Sequence, residues 1–203
     1  MHGDVEIADA ASKVSNTLAE FVEGKARLLT FTNKDCDILN EGIRSKLLVN
    51  KCRPEDNCGM LYGHATDKHY NVRKGEPVVF LKNMKDLGIY NSMTGIVDGN
   101  VEDKKKKTTH IKVRFPVDVH EVLRSDVKLA YSLTVHKSQG IGTDHVHVVI
   151  GNSDEARRWH RNMLYTAVSR AKQSCTVYYY DMWGLLHLNC LRRHVRLTLV
   201  ATS

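Results

Sequence analysis

The sequence predicts an α/β protein, a parallel-sheet domain interrupted by a small antiparallel, barrel-like β module. Three observations carry that expectation. Residues 27–50 read as strand, cap and helix, the repeating unit of an α/β sheet. Residues 75–126 hold several short strand-like runs with no helical pattern between them. Strand and helix patterns then alternate again to residue 183. The expected organisation is therefore 1–74 as the first part of the main domain, 75–126 as the inserted module, 127–183 as the second part, and 184–203 as a basic tail.

Each element has its own signal. Ile7, Ala11, Val14, Leu18 and Phe21 recur in steps of four and three, one face of an N-terminal helix. Arg27 to Phe31 is a strand-like run, and Thr32 and Asn33 follow as helix caps. Asp35 and Asp37 suit the positive end of a helix dipole, and Ile38, Leu39, Ile43 and Leu47 keep the helical spacing. Residues 51–74, broken by Pro54, Gly59 and Gly63, read as loop. Strand patterns follow at 77–81, 93–97, 109–115 and 117–123, with the turn signal Asp98-Gly99 between the second and third. Residues 129–134 read as one strand, 136–140 as a helical start, 145–150 as a buried strand, 154–172 as a helix with Trp159, Met163, Leu164 and Val168 on one face, and 175–180 as a closing strand.

Composition narrows the class. Hydrophobic residues make up 42% and charged residues 26%, ordinary for a globular domain of 203 residues. No apolar run reaches membrane-spanning length, so no membrane partner is expected. The acidic start lacks a signal-peptide pattern, and five scattered cysteines form no disulfide framework, which together suit a reducing, intracellular compartment. A net charge of +7 suits either a polyanionic partner, nucleic acid first, or simple solubility.

Two segments carry the chemistry. Residues 129–140 run from a strand into a polar turn, Thr134-Val135-His136-Lys137-Ser138-Gln139-Gly140. Such a turn offers hydroxyls, an imidazole and backbone amides at a strand end, where α/β sheets bind ligands. In residues 162–172, Arg170 and Lys172 lie near a helix end, within reach of an anionic group.

These residues resemble a known family. TVHKSQG (134–140) looks like motif V, and LYTAVSRAK (164–172) like motif VI, of superfamily 1 helicases, in the RecD-type branch of the UvrD-like helicase C-terminal family. LLTFTNKDCDILNEGIR (28–44) is similar to that branch's motif IV region. GEPVVFLKNMKDLGIYNSMTGIV (75–97) is similar to the strand that opens its β insertion. The four occur in the family's order across residues 27–181, and the ordered set is far more specific than either late motif alone.

The resemblance implies a RecA-like domain and a role for each matching residue. Arg170 matches the arginine that reaches the γ-phosphate of ATP, where a permanently charged guanidinium offsets developing charge. Its plainer reading is a helix C-terminal cap. Gln139, Gly140 and Tyr165 match positions at the nucleotide cleft, and Tyr165 equally reads as a core aromatic. Thr134, His136, Lys137 and Ser138, with Thr32, fall at positions implied to contact single-stranded DNA, although His136 alone reads as a helix-start residue and Thr32 also as a cap. Many relatives carry Glu two residues after the motif V glycine, touching the ribose; here that position is Gly142.

No G-x-x-x-x-G-K-[ST] phosphate loop is present, and no strand ends in an acidic pair for Mg²⁺. The implied ATP site, with its Mg²⁺, therefore needs an N-terminal helicase ATPase domain, upstream or on a separate chain. The expected compartment is nuclear or otherwise holds DNA. A rival reading is a non-enzymatic nucleic-acid-binding remnant. A third, a hydrolase using His136 with Ser132 or Ser138, lacks a nucleophile-elbow pattern. Cys52, Cys58, His64 and His69 have poor spacing for zinc. The lysine run 104–107 reads as a phosphate grip or a solvated loop, and Arg192, Arg193, His194 and Arg196 as a binding tail or a frayed end. Trp159 and Tyr178 to Tyr180 read as base-stacking or core aromatics.

Overall fold

The computed structural model describes residues 25–48, 57–63, 68–101, 105, 110–115, 118–150, 159–179 and 196–201, with backbone alone at 45–48, 57–63, 68–71, 179 and 196–201. In chain order the elements are β1 (Ala26–Thr30), α1 (Asn33–Leu48), β2 (Asn57–Gly63), β3 (Lys68–Arg73), β4 (Pro77–Phe80), β5 (Thr94–Asn100), β6 (His110–Arg114), β7 (Val119–Leu123), β8 (Val127–Leu129), β9 (Ser132–Thr134), β10 (Thr143–Ile150), α2 (Arg161–Val168), β11 (Ala171–Tyr179) and β12 (Arg196–Ala201). The chain divides into two compact units, one of residues up to Lys46 and from Ser132 onward, the other Leu47–Tyr131.

The first unit is a parallel sheet in the order β12-β11-β10-β1-β9. Every residue of β1 is buried, as a central strand of a parallel sheet covered on both faces requires. The helix after it starts where its cap says it should. Thr32 Oγ1 accepts the Asp35 amide at 3.1 Å, and the Thr32 carbonyl accepts the Cys36 amide at 3.2 Å. Cys36, Leu39 and Ile43 are the buried apolar stripe of α1. Beside them lies a polar seam. Thr30 donates to Asp35 at 3.4 Å, and the Ser132 amide donates to buried Asn40 Oδ1 at 2.7 Å. That second bond ties α1 to β9.

The second unit is antiparallel. Its larger sheet runs β7-β6-β5-β4-β8, and β2 and β3 form a separate pair. Val78, Val79, Phe80, Val97, Ile111, Val113 and Phe115 make its core, with the Phe80 and Phe115 rings 5.2 Å apart. Gly95 sits where nothing larger fits, because a Cβ there would lie 2.6 Å from Val113 Cγ1 and 3.0 Å from the Arg114 carbonyl.

Several expectations need correction. Residues 51–74 are not all loop, since β2 and β3 pair within them; a register shift between Asn57 and Met60 interrupts the regular pairing. The compact unit therefore extends past 75–126 on both sides, to take in this hairpin and β8. The run 129–134 is not one strand. Leu129 ends β8 in the antiparallel sheet, Ser132 begins β9 in the parallel one, and Ala130-Tyr131 join them. Apolar content alone cannot reveal that change of partner. The helix expected at 154–172 is α2, with Trp159 before it and Ala171 and Lys172 already in β11. Residues 136–140 form a single tight turn. Part of the expected tail is β12, paired in parallel with β11. The N-terminal helix expectation lies outside the described residues.

Candidate functional site

Because all strands of the first unit are parallel, its sheet has two chemically distinct edges. At the carboxyl edge β1 and β9 end side by side, Thr30 opposite Thr134. The Val135 amide donates to the Thr30 carbonyl at 3.0 Å. This sets the cap residue Thr32, half-buried, beside the turn 135–140.

The turn is held by its own hydroxyls. Thr134 Oγ1 accepts the Lys137 amide at 3.3 Å, and the Thr134 carbonyl accepts the Ser138 amide at 3.0 Å. Ser138 Oγ donates to the Val135 carbonyl at 2.7 Å. Thr134 and Ser138 are buried and stabilise the turn, whereas His136, Gln139 and Gly140 are exposed and Lys137 is half-buried. Gly140 has φ +83°, a left-handed conformation that lets the chain leave the turn.

Eight residues, 135–142, carry the chain from the carboxyl edge to the amino edge, where β10 begins. There the Thr143 amide donates to the Arg170 carbonyl at 3.0 Å, and Thr143 pairs with Ala171. A Cβ added to Gly142 would lie 3.3 Å from Lys172 Cε and 3.8 Å from the Arg170 carbonyl. The amino edge thus brings together Gly142, Arg170 and Lys172.

The guanidinium of half-buried Arg170 is held from behind. Nε donates to the Thr166 carbonyl at 3.2 Å, and Nη2 to Ser169 Oγ at 3.0 Å. Ser169 Oγ in turn donates to the Thr166 carbonyl at 2.8 Å. Arg170 therefore does cap α2, as the plainer reading expected. The partners it does have are neutral, and among the described residues none is a carboxylate. Sequence reasoning did not single out Ser169, although a hydroxyl directly before the arginine was a visible signal. Tyr165 is 64% exposed, so the core alternative fails for it.

The candidate residues therefore fall into two sets. Thr32, Thr134, His136, Lys137 and Ser138 gather at the carboxyl edge, and Arg170 lies at the amino edge. Gln139 and Gly140 are on the segment between. Groups with shifted pKa values lie in the strands themselves. Burial lowers the Arg27 guanidinium, raises the Cys175 thiol to about 12 and raises the Tyr178 hydroxyl. Burial, with a smaller push from His145, lowers His147 to about 4. These strand groups report packing.

The remaining candidates resolve simply. Ser132 is fully buried in β9 and Ser138 is committed to its turn, so the hydrolase reading has no accessible nucleophile. Trp159 is buried, its ring 6.4 Å from that of Phe31, and Tyr178 is buried against His147, so both are core aromatics. No group of acidic, histidine or cysteine side chains among the described residues could hold a metal. The side chains of Cys52, Cys58, His64 and His69 lie outside the described residues, as do those of the basic tail and of the lysine run apart from exposed Lys105. No helix among the described residues is long and apolar enough to cross a membrane.

Comparisons with known proteins meet this geometry at the same residues. Residues 129–178 match the model of the UvrD-like helicase C-terminal domain. A probable conjugal transfer protein TraA of Sinorhizobium fredii is 29% identical over 153 residues, 75% of this chain and 13% of that protein. The RecBCD enzyme subunit RecD of Mycobacterium tuberculosis is 34% identical over 103 residues, 51% of this chain and 17% of that protein. The chain thus spans less than a fifth of either relative's length. A solved structure of two coordinating Pif1 helicases at forked double-stranded DNA shares the fold, with a TM-score of 0.52 and 18% identity, covering 100% of this chain and 47% of that one. The parallel sheet and the separate antiparallel sheet match the RecA-like arrangement of that Pif1 structure, and the segment that carries the late motifs is similar to the UvrD-like helicase C-terminal domain.

Proposed function

We propose that this chain is the second motor domain of an ATP-dependent DNA helicase, acting with an N-terminal ATPase domain that carries the phosphate loop and holds Mg²⁺. Arg170 reaches the γ-phosphate across the interface and stabilises the charge that develops as the phosphoryl group leaves. Gln139 and Gly140 border the nucleotide, and exposed Tyr165 borders it from α2. On the carboxyl edge, His136, Lys137 and Thr32 grip the backbone of single-stranded DNA, while buried Thr134 and Ser138 hold the turn that presents them. Its place of work is an intracellular compartment that holds DNA, nuclear or otherwise.

The observation that carries this reading is the Arg170 guanidinium, fixed by the Thr166 carbonyl and Ser169 hydroxyl with no carboxylate partner among the described residues. An arginine placed for packing alone does not need that arrangement. The test is ATP turnover, with and without single-stranded DNA, for this chain and for this chain joined to a phosphate-loop domain. The joined protein turns over ATP, and Arg170→Ala lowers the rate by about 10³-fold while DNA binding persists. Unchanged turnover in that variant sinks the assignment.

A second reading, nucleic-acid binding without turnover, is favoured by one observation: the turn at the carboxyl edge exposes His136 and half-exposes Lys137, which need no nucleotide to meet a phosphate backbone. It prevails if the chain binds DNA and no joined protein hydrolyses ATP.

A further inference from the structure

Lys172, like Arg170, stands within reach of an anionic group, and the proposed site uses only the arginine. The lysine is exposed, and it flanks Ala171 from the side opposite Arg170. Ala171 opens β11 and is buried, while Arg170 in the turn before it is half-buried and Lys172 after it is exposed. Two residues apart, their Cα atoms are at most about 7 Å from each other. Neither cation has a carboxylate partner among the described residues. The Lys172 stem lies over Gly142, where the absent side chain leaves it room. Gly142 has no left-handed backbone angle, so its lack of a side chain is not a requirement of the local conformation.

We infer that Lys172 is a second phosphate-binding residue beside Arg170, and that Gly142 is its seat. The pair takes adjacent phosphates of one nucleoside triphosphate chain: a planar fork on the terminal group and a mobile ammonium on the next. This deepens the proposed function and rests on the amino edge being the nucleotide edge. Gly142 then sets a preference. A carboxylate at this position would pair with Lys172 and withdraw its charge from the ligand. Glycine leaves the charge free.

The test is a titration of this chain with inorganic tripolyphosphate at low ionic strength, followed by calorimetry. Gly142, Arg170 and Lys172 lie at the surface or half-exposed, and equal thermal unfolding checks that each variant folds. Lys172→Ala and Gly142→Glu each weaken binding by about tenfold, the size of one charge-assisted hydrogen bond. Gly142→Glu adds little when Lys172 is already alanine, because the new carboxylate then has no ammonium to neutralise. Wild-type affinity in Lys172→Ala overturns the inference, and so does a wild-type chain that binds no tripolyphosphate. If Arg170→Ala weakens binding while Lys172→Ala does not, this inference fails and the proposed role of Arg170 stands. If Lys172→Ala weakens binding while Arg170→Ala does not, Lys172 keeps its phosphate and the assignment of Arg170 fails.

Discussion

Lowering the pH from 7 to 5 should destabilise this protein through His147. The side chain is buried in β10, its Nδ1 3.2 Å from the Tyr178 hydroxyl and its ring stacked on the Tyr178 ring. Burial disfavours the imidazolium, and His145 two residues away adds like charge, so the folded-state pKa falls from 6.5 to about 4. Between those values the unfolded chain binds a proton that the folded chain does not. Stability is therefore intact above pH 6.5, declines as pH falls, and levels off below about pH 4. The shift corresponds to about 3 kcal/mol in all, of which about 2 kcal/mol is lost by pH 5. Other groups titrate in the same range, so the measurement is a difference. Urea unfolding of the wild type and of His147→Gln is followed by circular dichroism at pH 7, 6 and 5. Whatever its absolute stability, the variant should lose about 2 kcal/mol less than the wild type over that interval. Two parallel stability lines would refute the placement of a neutral, desolvated imidazole at this site.

Other perturbations test the packing around the two edges. Asn40→Leu leaves the Ser132 amide unpaired in the core and should cost roughly 1–3 kcal/mol in denaturant unfolding; no loss would mean that the α1–β9 tie is dispensable. Gly140→Ala forces a side chain into the left-handed region and should lower stability by about 1–2 kcal/mol, with weaker single-stranded DNA binding by the chain. Gly95→Ala, which meets Val113 and the Arg114 backbone, should cost about 1–3 kcal/mol by thermal unfolding. Iodoacetamide should leave Cys175 unlabelled in the native chain at pH 8, because the thiol is buried and its pKa is pushed up to about 12.

Much of this architecture was legible in the residues because local and global signals agreed. Thr32 was readable as a cap, and its hydroxyl makes that bond to Asp35. Residues 27–30 and 146–150 became continuously buried stretches of parallel strands, as happens when both faces of a sheet are covered. What stayed hidden was partner choice. Nothing in the run from Leu129 to Thr134 marks Ala130-Tyr131 as the point where the chain leaves an antiparallel sheet for a parallel one. The hairpin of β2 and β3 was hidden by Gly59 and Gly63, which punctuate a strand as they punctuate a loop. At the site, the residue types were legible and their sorting was not. Thr134, His136 and Ser138 looked alike as polar turn residues, and only burial separates the hydroxyls that build the turn from the imidazole that it exposes. The nearness of Gly142 to Lys172 depends on how β10 and β11 align, which no linear pattern reveals.

The crossing segment 135–142 has a consequence for genetics. It is fastened at one end by the Val135 amide on Thr30 and at the other by the Thr143 amide on Arg170. Under the proposed function, variants within it will resist sorting into those that fail on nucleotide and those that fail on DNA. A screen for either defect should recover the same positions. Insertions or deletions there should be harsher than substitutions, since a fastened span tolerates a changed side chain more readily than a changed length.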